Sequence, residues 1–243
     1  MGKTKLEIKM KPPILITGAA RSGTSMVAGI INLCGAYGGH MSPGNKYNEK
    51  GMFENHAIRQ GVLKPYLRSI NADPLGQYPL PKTANLTIQT DLNQRVEHIM
   101  QHEGYTSGPW MYKGAKMCLT WPAWHYAFPD AKWIIVRRKT SDIVNSCMHT
   151  GFMKAYSNPM IQKKVHVSSE AEGWKWWVRQ HEKCFVEMIE AGMNIKIIWP
   201  ERMLSGDYSQ IYEMLEWLGL EWKKEIVDFI EPKLWKARQT KKQ

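Results

Sequence analysis

No apolar run in this chain approaches the length needed to cross a bilayer as a helix, so no helical membrane anchor is expected. The opening stretch MGKTKLEIKMKPP is too polar for a secretory leader. Gly2 follows Met1, but Leu6 stands where a myristoylation signal carries Ser or Thr. These absences give the expectation of a cytoplasmic protein with no membrane partner. Cysteine is scarce. Cys34, Cys118, Cys147 and Cys184 lie far apart with no CxxC spacing, so they read as buried thiols rather than a metal ribbon or a disulfide framework. There is no internal repeat, no low-complexity segment, no zinc-finger spacing and no RNA-binding aromatic signature. Acidic residues are also in short supply, 22 against 33 basic ones, for a net charge of +11. That balance suits an anionic ligand. The basic residues are dispersed, with only a short C-terminal run at Lys241 and Lys242, so an anionic cofactor or acceptor is expected and nucleic acid is not.

What is present begins at Ile14. In ILITGAARSGTSMVAGIINLCG, Ile14 to Thr17 read as a short buried strand, Gly18 to Gly23 as a tight turn, and Thr24 onward as a helix. Strand, Gly-bounded loop and helix N-terminus together form a phosphate cradle. Loop and first-turn N–H groups converge there, and the helix dipole adds partial positive charge. Gly18 and Gly23 have the spacing of a Walker A loop, yet the Lys that should follow the second glycine is missing, and Thr24 and Ser25 stand there. The cation sits inside the loop instead, at Arg21, followed by Ser22. The loop can hold a phosphate but lacks the lysine that a nucleotide triphosphatase uses on β/γ-phosphates.

The Arg-Ser-Gly-Thr-Ser loop resembles the 5′-phosphosulfate loop of sulfotransferases that use PAPS (3′-phosphoadenosine 5′-phosphosulfate). A second segment, KWIIVRRKTSDIVNSCMHTGF, resembles the family's strand, Arg and helix. Arg138 ends the strand and Ser146 lies eight residues later. The resemblance implies that these two bind the 3′-phosphate, the planar fork of Arg and a Ser hydroxyl meeting it from one side. Thr140 replaces the family's usual Pro. WMYKGAKMCLTWPAWHYAFPDAKWIIVRR and IKIIWPERMLSGDYSQIYEMLEWLGL resemble two further family blocks, so the likeness runs from about Ile14 to Leu220.

Strands are expected at 13–17, 110–113, 132–137 and 194–199. Helices are expected near 24–36, 54–69, 91–103, 141–149, 169–191, 208–218 and 222–230. This alternation predicts an α/β fold with three layers, a mostly parallel sheet flanked by helices, carried by one domain over 1–243. The resemblance makes it the P-loop-like sulfotransferase fold. Ligands of such sheets bind at the carboxyl ends of the strands, where both phosphate segments fall. Segments 37–53 and 70–90 read as loops that shape the acceptor pocket. Trp174, Trp177, His181, Phe185 and Met188 recur at helical spacing and read as core.

Sulfuryl transfer needs a base for the acceptor proton, cations for the sulfuryl oxygens and the leaving phosphate, and in-line positioning. Gly18, Arg21, Ser22, Gly23, Thr24, Ser25, Arg138 and Ser146 are the expected cofactor ligands, with Arg21 on the leaving phosphate. Lys113 matches the Lys of the family block and is assigned to the transferring group, with Lys116 as substitute. Gly114-Ala115 stand where the family often has Asp-Pro. The resemblance, best in GMFEN, implies Glu54 as the base, with Glu49 and His56 as alternatives. Glu54 can also be read as a helix N-terminal carboxylate facing the dipole. His125 and His149 are read as structural or surface groups. No metal is required. The acceptor is a small molecule or glycan of unstated identity. Two other readings stay open, a P-loop small-molecule kinase and a catalytically inactive PAPS- or nucleotide-binding module.

Overall fold

The structure, a computed structural model, describes residues 10–235. Gly2, Leu6, Lys241 and Lys242 lie outside the described residues. Four strands form one parallel sheet: β1 (Ile14–Thr17), β2 (Met111–Lys113), β3 (Lys132–Val136) and β4 (Ile195–Ile198), in the order β2-β1-β3-β4. Each falls within a residue of its expected span.

Strand pleating divides the core in two. Leu15, Tyr112, Trp133 and Ile135 point to one face. They meet α2 (His56–Ile58), α3 (Lys64–Ser69), α4 (Leu92–His102), α5 (Trp121–Ala127) and α8 (Glu170–Glu190). Ile14, Ile16, Ile134 and Val136 point to the other face, toward α1 (Thr24–Leu33), α9 (Ser209–Leu218) and α10 (Glu225–Phe229). Two more helices, α6 (Thr140–Met148) and α7 (Pro159–Lys164), complete the set. α6 packs on α8 through Ile143, Val144 and Cys147 against Trp174, Trp177 and Val178. The three layers follow from strands apolar on both faces.

α8 starts where Ser168 and Ser169 supply a cap. Ser169 Oγ accepts from Glu172 N–H at 3.3 Å, and the Glu172 carboxylate accepts from Ser168 N–H at 2.8 Å. Its stripe of Trp174, Trp177, His181, Phe185 and Met188 is buried, as expected from the spacing. Burying each large apolar member contributes ~1.5–3 kcal/mol.

One irregularity lies near the site. Between α2 and α3 the helix widens into a π-turn, Arg59–Leu63. Pro65 has no N–H for the carbonyl four residues back, at Gly61. Arg95 Nη2 donates to that carbonyl instead, at 2.8 Å. The widened turn starts at Arg59, whose side chain enters the site below.

All four cysteines are free and buried. Among the described residues, no helix is long and apolar enough to cross a membrane.

Candidate active site

The strand order builds the site. β1 lies between β2 and β3, so the loop after β1 is flanked by what ends its neighbours: Lys113 on one side and Arg137-Arg138 on the other. The chain leaves β1 toward β2 and returns on the far side to β3, which makes this edge the switch point of the sheet.

The loop is fixed tightly. A Cβ on Gly18 would lie 2.4 Å from the Val136 carbonyl oxygen, so only glycine fits against β3. Gly23 takes φ 99° as the residue before α1, a left-handed conformation that glycine adopts freely. Arg21 also has positive φ, 74°. No side chain caps α1; Met26 N–H turns back to the Gly23 carbonyl at 3.0 Å, and the N–H groups of Thr24 and Ser25 precede the first helical bond.

Arg21, Arg138 and Ser146 lie together, with Arg21 between the other two through its side chain and its carbonyl. Arg21 Nε donates to Ser146 Oγ at 2.9 Å, and Arg138 Nη1 donates to the Arg21 carbonyl at 3.0 Å. Burial lowers the Arg21 guanidinium from its ordinary value. Burial also pulls Arg138 down to about 10, with Asp142 and Glu201 opposing the drop, so Arg138 stays charged at neutral pH. Nε and Nη2 of Arg138 and the Ser22 hydroxyl are buried with no hydrogen-bond partner among the described residues. Arg138 Nε has only long ion-pair contacts, 3.8 Å to Asp142 and 3.9 Å to Glu201, and buried polar atoms without a hydrogen bond are costly unless a ligand completes them. Thr24 is buried in the first turn. The Ser25 hydroxyl is engaged by neighbours, donating to the Met52 carbonyl at 3.2 Å and accepting from Asn48 Nδ2 at 2.8 Å.

Lys113 is buried and its ammonium meets Glu54 Oε1 at 3.0 Å. Glu54 Oε2 lies 2.9 Å from Arg59 Nε. Glu54 therefore is not a solvated carboxylate on a helix dipole. Asn55 caps α2 by accepting from Ile58 N–H, and Glu54 precedes it, facing two cations. Burial by itself would raise the Glu54 carboxyl, but Lys113, Lys116 and Arg59 outweigh it and hold it at about 2. Gly114-Ala115 keep Lys113 in place without the family's Asp-Pro. Gly114 N–H donates to Ile16 O at 3.0 Å, and Thr17 Oγ1 donates to the Gly114 carbonyl at 3.1 Å. Of the alternatives for the base, Glu49 is exposed on one cleft wall, and His56 is exposed and lines neither cleft.

Two clefts open at the loop and share Arg21, Thr24, Ser25 and Asn48. The first holds Arg138 and Ser146 and is walled by Tyr47, Lys50, Phe53, Phe229 and Trp235. The second holds Glu54, Arg59, Lys113 and Lys116, with Leu75, Gln77, Phe152 and Trp177 around them. Most of the cleft-lining residues of segment 37–53 lie on the Arg138 side, while Leu75 and Gln77 of segment 70–90 line the Lys113 side. Sequence reasoning missed Arg59, Tyr47 and Trp235. Trp235 covers the Arg138 guanidinium at 3.8 Å, a contact spanning the chain that no local pattern announces.

The family model for the sulfotransferase family matches residues 12–224. The chain belongs to the sulfotransferase family. Membership makes it a transferase of the sulfuryl class. The fold agrees. The sulfotransferase STF9 of Mycobacterium avium superposes with a TM-score of 0.56 at 12% identity, over 95% of this chain and 69% of that one. The sulfotransferase domain of the curacin biosynthetic pathway gives 0.53 at 14% identity, over 91% and 79%. A sulfotransferase of Alicyclobacillus acidocaldarius gives 0.51 at 14% identity, over 92% and 88%. At such identities the likeness speaks for the fold alone. No curated protein sequence matches the chain.

Proposed function

We propose that this chain moves a sulfuryl group from PAPS to a hydroxyl or amine of a small-molecule or glycan acceptor. One observation supports the choice of donor: Arg138 Nη2 and the Ser22 hydroxyl are buried without a hydrogen bond among the described residues, while Arg138 Nη1 ties the guanidinium to the Arg21 carbonyl. A donor with a 3′-phosphate and a 5′-phosphosulfate has anionic groups for both positions. Gly18 to Ser25 and Arg21 would hold the 5′-side, and Arg138 with Ser146 the 3′-phosphate. Trp235 lies on the face of the Arg138 guanidinium and leaves its in-plane N–H groups for a phosphate.

In the transfer, the acceptor oxygen or nitrogen bonds to sulfur, the bond between sulfur and the 5′-phosphate oxygen breaks, and the acceptor proton passes to Glu54. Arg21 and the α1 N-terminus receive charge on the leaving phosphate. Lys113 has two anionic claims on it, Glu54 and the sulfuryl oxygens. As it turns toward the sulfuryl group, Glu54 loses a cation and its carboxyl rises toward the ordinary range, where it accepts a proton better. The kinase reading lacks a lysine at Thr24 to support it.

The deciding test is calorimetry of the chain with PAP (the desulfated product), with ATP-Mg²⁺ as comparator, followed by radiolabelled sulfuryl transfer from PAPS. Binding of PAP and weak binding of ATP supports the reading. The reverse order overturns it.

A further inference from the structure

The second cleft carries an excess of positive charge that the transfer does not account for. Among the described residues it is lined by four cations, Arg21, Arg59, Lys113 and Lys116, and one anion, Glu54. Both Glu54 oxygens are committed, one to Lys113 and one to Arg59. Arg21 lies on Ser146. Lys116 is left with no hydrogen bond or ion pair among the described residues.

Lys116 is also held in place. Gly76 packs against its stem so closely that a Cβ there would lie 2.7 Å from Lys116 Cγ. Gly76 is itself pinned by Trp177, whose Nε1 donates to its carbonyl at 2.8 Å. Burial depresses the Lys116 ammonium, Glu54 opposes that, and Arg59, Lys113 and Lys64 add to it. His181 in the same wall brings no charge. Its Nδ1 faces the Trp177 carbonyl at 2.9 Å, and burial lowers the ring to about 4, so it is neutral at pH 7. The rest of the wall is largely apolar, from Leu75, Phe152 and Trp177. A confined ammonium among like charges, sharing Glu54 only at a distance with Lys113 and Arg59 in direct contact with that carboxylate, is stabilised by an incoming anion.

Resting on the donor reading above, we propose that the acceptor is itself anionic: a hydroxyl- or amine-bearing molecule with an apolar body and a carboxylate, phosphate or sulfate that Lys116 receives. The transferring sulfuryl group does not need Lys116, because Arg21, Lys113 and the loop already face it.

The test uses matched pairs, 4-hydroxyphenylacetate with its amide and 4-hydroxybenzoate with its amide, titrated by calorimetry into the chain with and without saturating PAP. The acids should bind about tenfold tighter than the amides, or about 1.4 kcal/mol. Lys116→Met should remove that preference, Lys116→Arg should restore it, and both variants should bind PAP as the parent does, which also confirms folding. Acids no tighter than amides, including no binding by either at millimolar concentration, overturns the proposal. So does a preference that survives Lys116→Met, or a variant that loses transfer to acid and amide alike, since the latter would return Lys116 to the sulfuryl group. Failure of PAP to bind strikes the donor reading instead, and the comparison without PAP still reads the pocket.

Discussion

The Lys113 ammonium lies 3.0 Å from Glu54 Oε1, so the cation that ends β2 and the carboxylate that precedes α2 neutralise each other in a buried site. Their chain separation is large, and the sheet edge brings them together. A carboxyl held at about 2 is a weak base at neutral pH. The same pair is also a store of basicity, because any anion that draws Lys113 away releases Glu54. In the proposed transfer the sulfuryl group is that anion, which couples base strength to the presence of donor.

We expect PAP to stabilise the fold and ATP-Mg²⁺ to do so far less. At a ligand concentration of 100 times Kd the gain is about 2.7 kcal/mol. Thermal melts with each ligand measure it. Equal shifts with ATP-Mg²⁺ and none with PAP would contradict a donor site built on Arg21, Ser22 and Arg138.

Arg138→Ala should weaken PAP more than the analogue without the 3′-phosphate, by roughly 1.5–3 kcal/mol for a lost charge-assisted hydrogen bond. Ser146→Ala should have a smaller effect in the same direction and a second one besides. Its hydroxyl holds Arg21 Nε at 2.9 Å, so both analogues lose some affinity through Arg21. Calorimetry with the two ligands separates these effects. An equal loss for both ligands in Arg138→Ala would place the 3′-phosphate elsewhere.

Legibility in the sequence followed the range of the interactions. The four strands were readable because each is a short apolar run bounded by Gly, Pro or charge. α8 was readable from its aromatic stripe. The cradle was readable because Gly18, Arg21 and Gly23 act within one turn, and Arg138 with Ser146 because both lie on one strand–helix unit. Arg59 was not, since its role depends on a π-turn produced by Pro65 three-dimensionally, through the Gly61 carbonyl and Arg95. α7 was missed as a single short turn-and-a-half of helix started by Asn158, whose side chain accepts from Met160 N–H. Trp235 was missed because its partner Arg138 is almost a hundred residues earlier.

Trp235→Ala should weaken PAP several-fold while leaving the fold intact. The ring covers the Arg138 guanidinium at 3.8 Å and lies close above Gly23, where an added Cβ would come 2.9 Å from it. Such a stack contributes about 0.5–2 kcal/mol. Trp235→Phe should recover most of the loss. Unchanged PAP affinity in Trp235→Ala would mean that the ring leaves Arg138 when ligand binds.

Glu54→Gln tests the buried pair in two ways. For catalysis, loss of the base should lower turnover by about 10²–10⁴-fold with PAP affinity nearly unchanged. Near-normal turnover would move the base to Glu49 or His56. For stability, the substitution strands Lys113 and Arg59 without their shared counter-ion, which costs roughly 3–5 kcal/mol at neutral pH. The folded carboxyl titrates at about 2, below its ordinary value of 4.5, so the unfolded state binds its proton first as pH falls. The pair's contribution is therefore full above pH 4.5 and is lost progressively toward pH 2. Urea unfolding of parent and variant at pH 7 and at pH 3 reads this directly. The parent should lose stability over that interval and the variant should lose less, so that the gap between them narrows in acid. A gap that stays constant across the interval would mean that the Glu54 carboxyl is not held down by Lys113, Lys116 and Arg59.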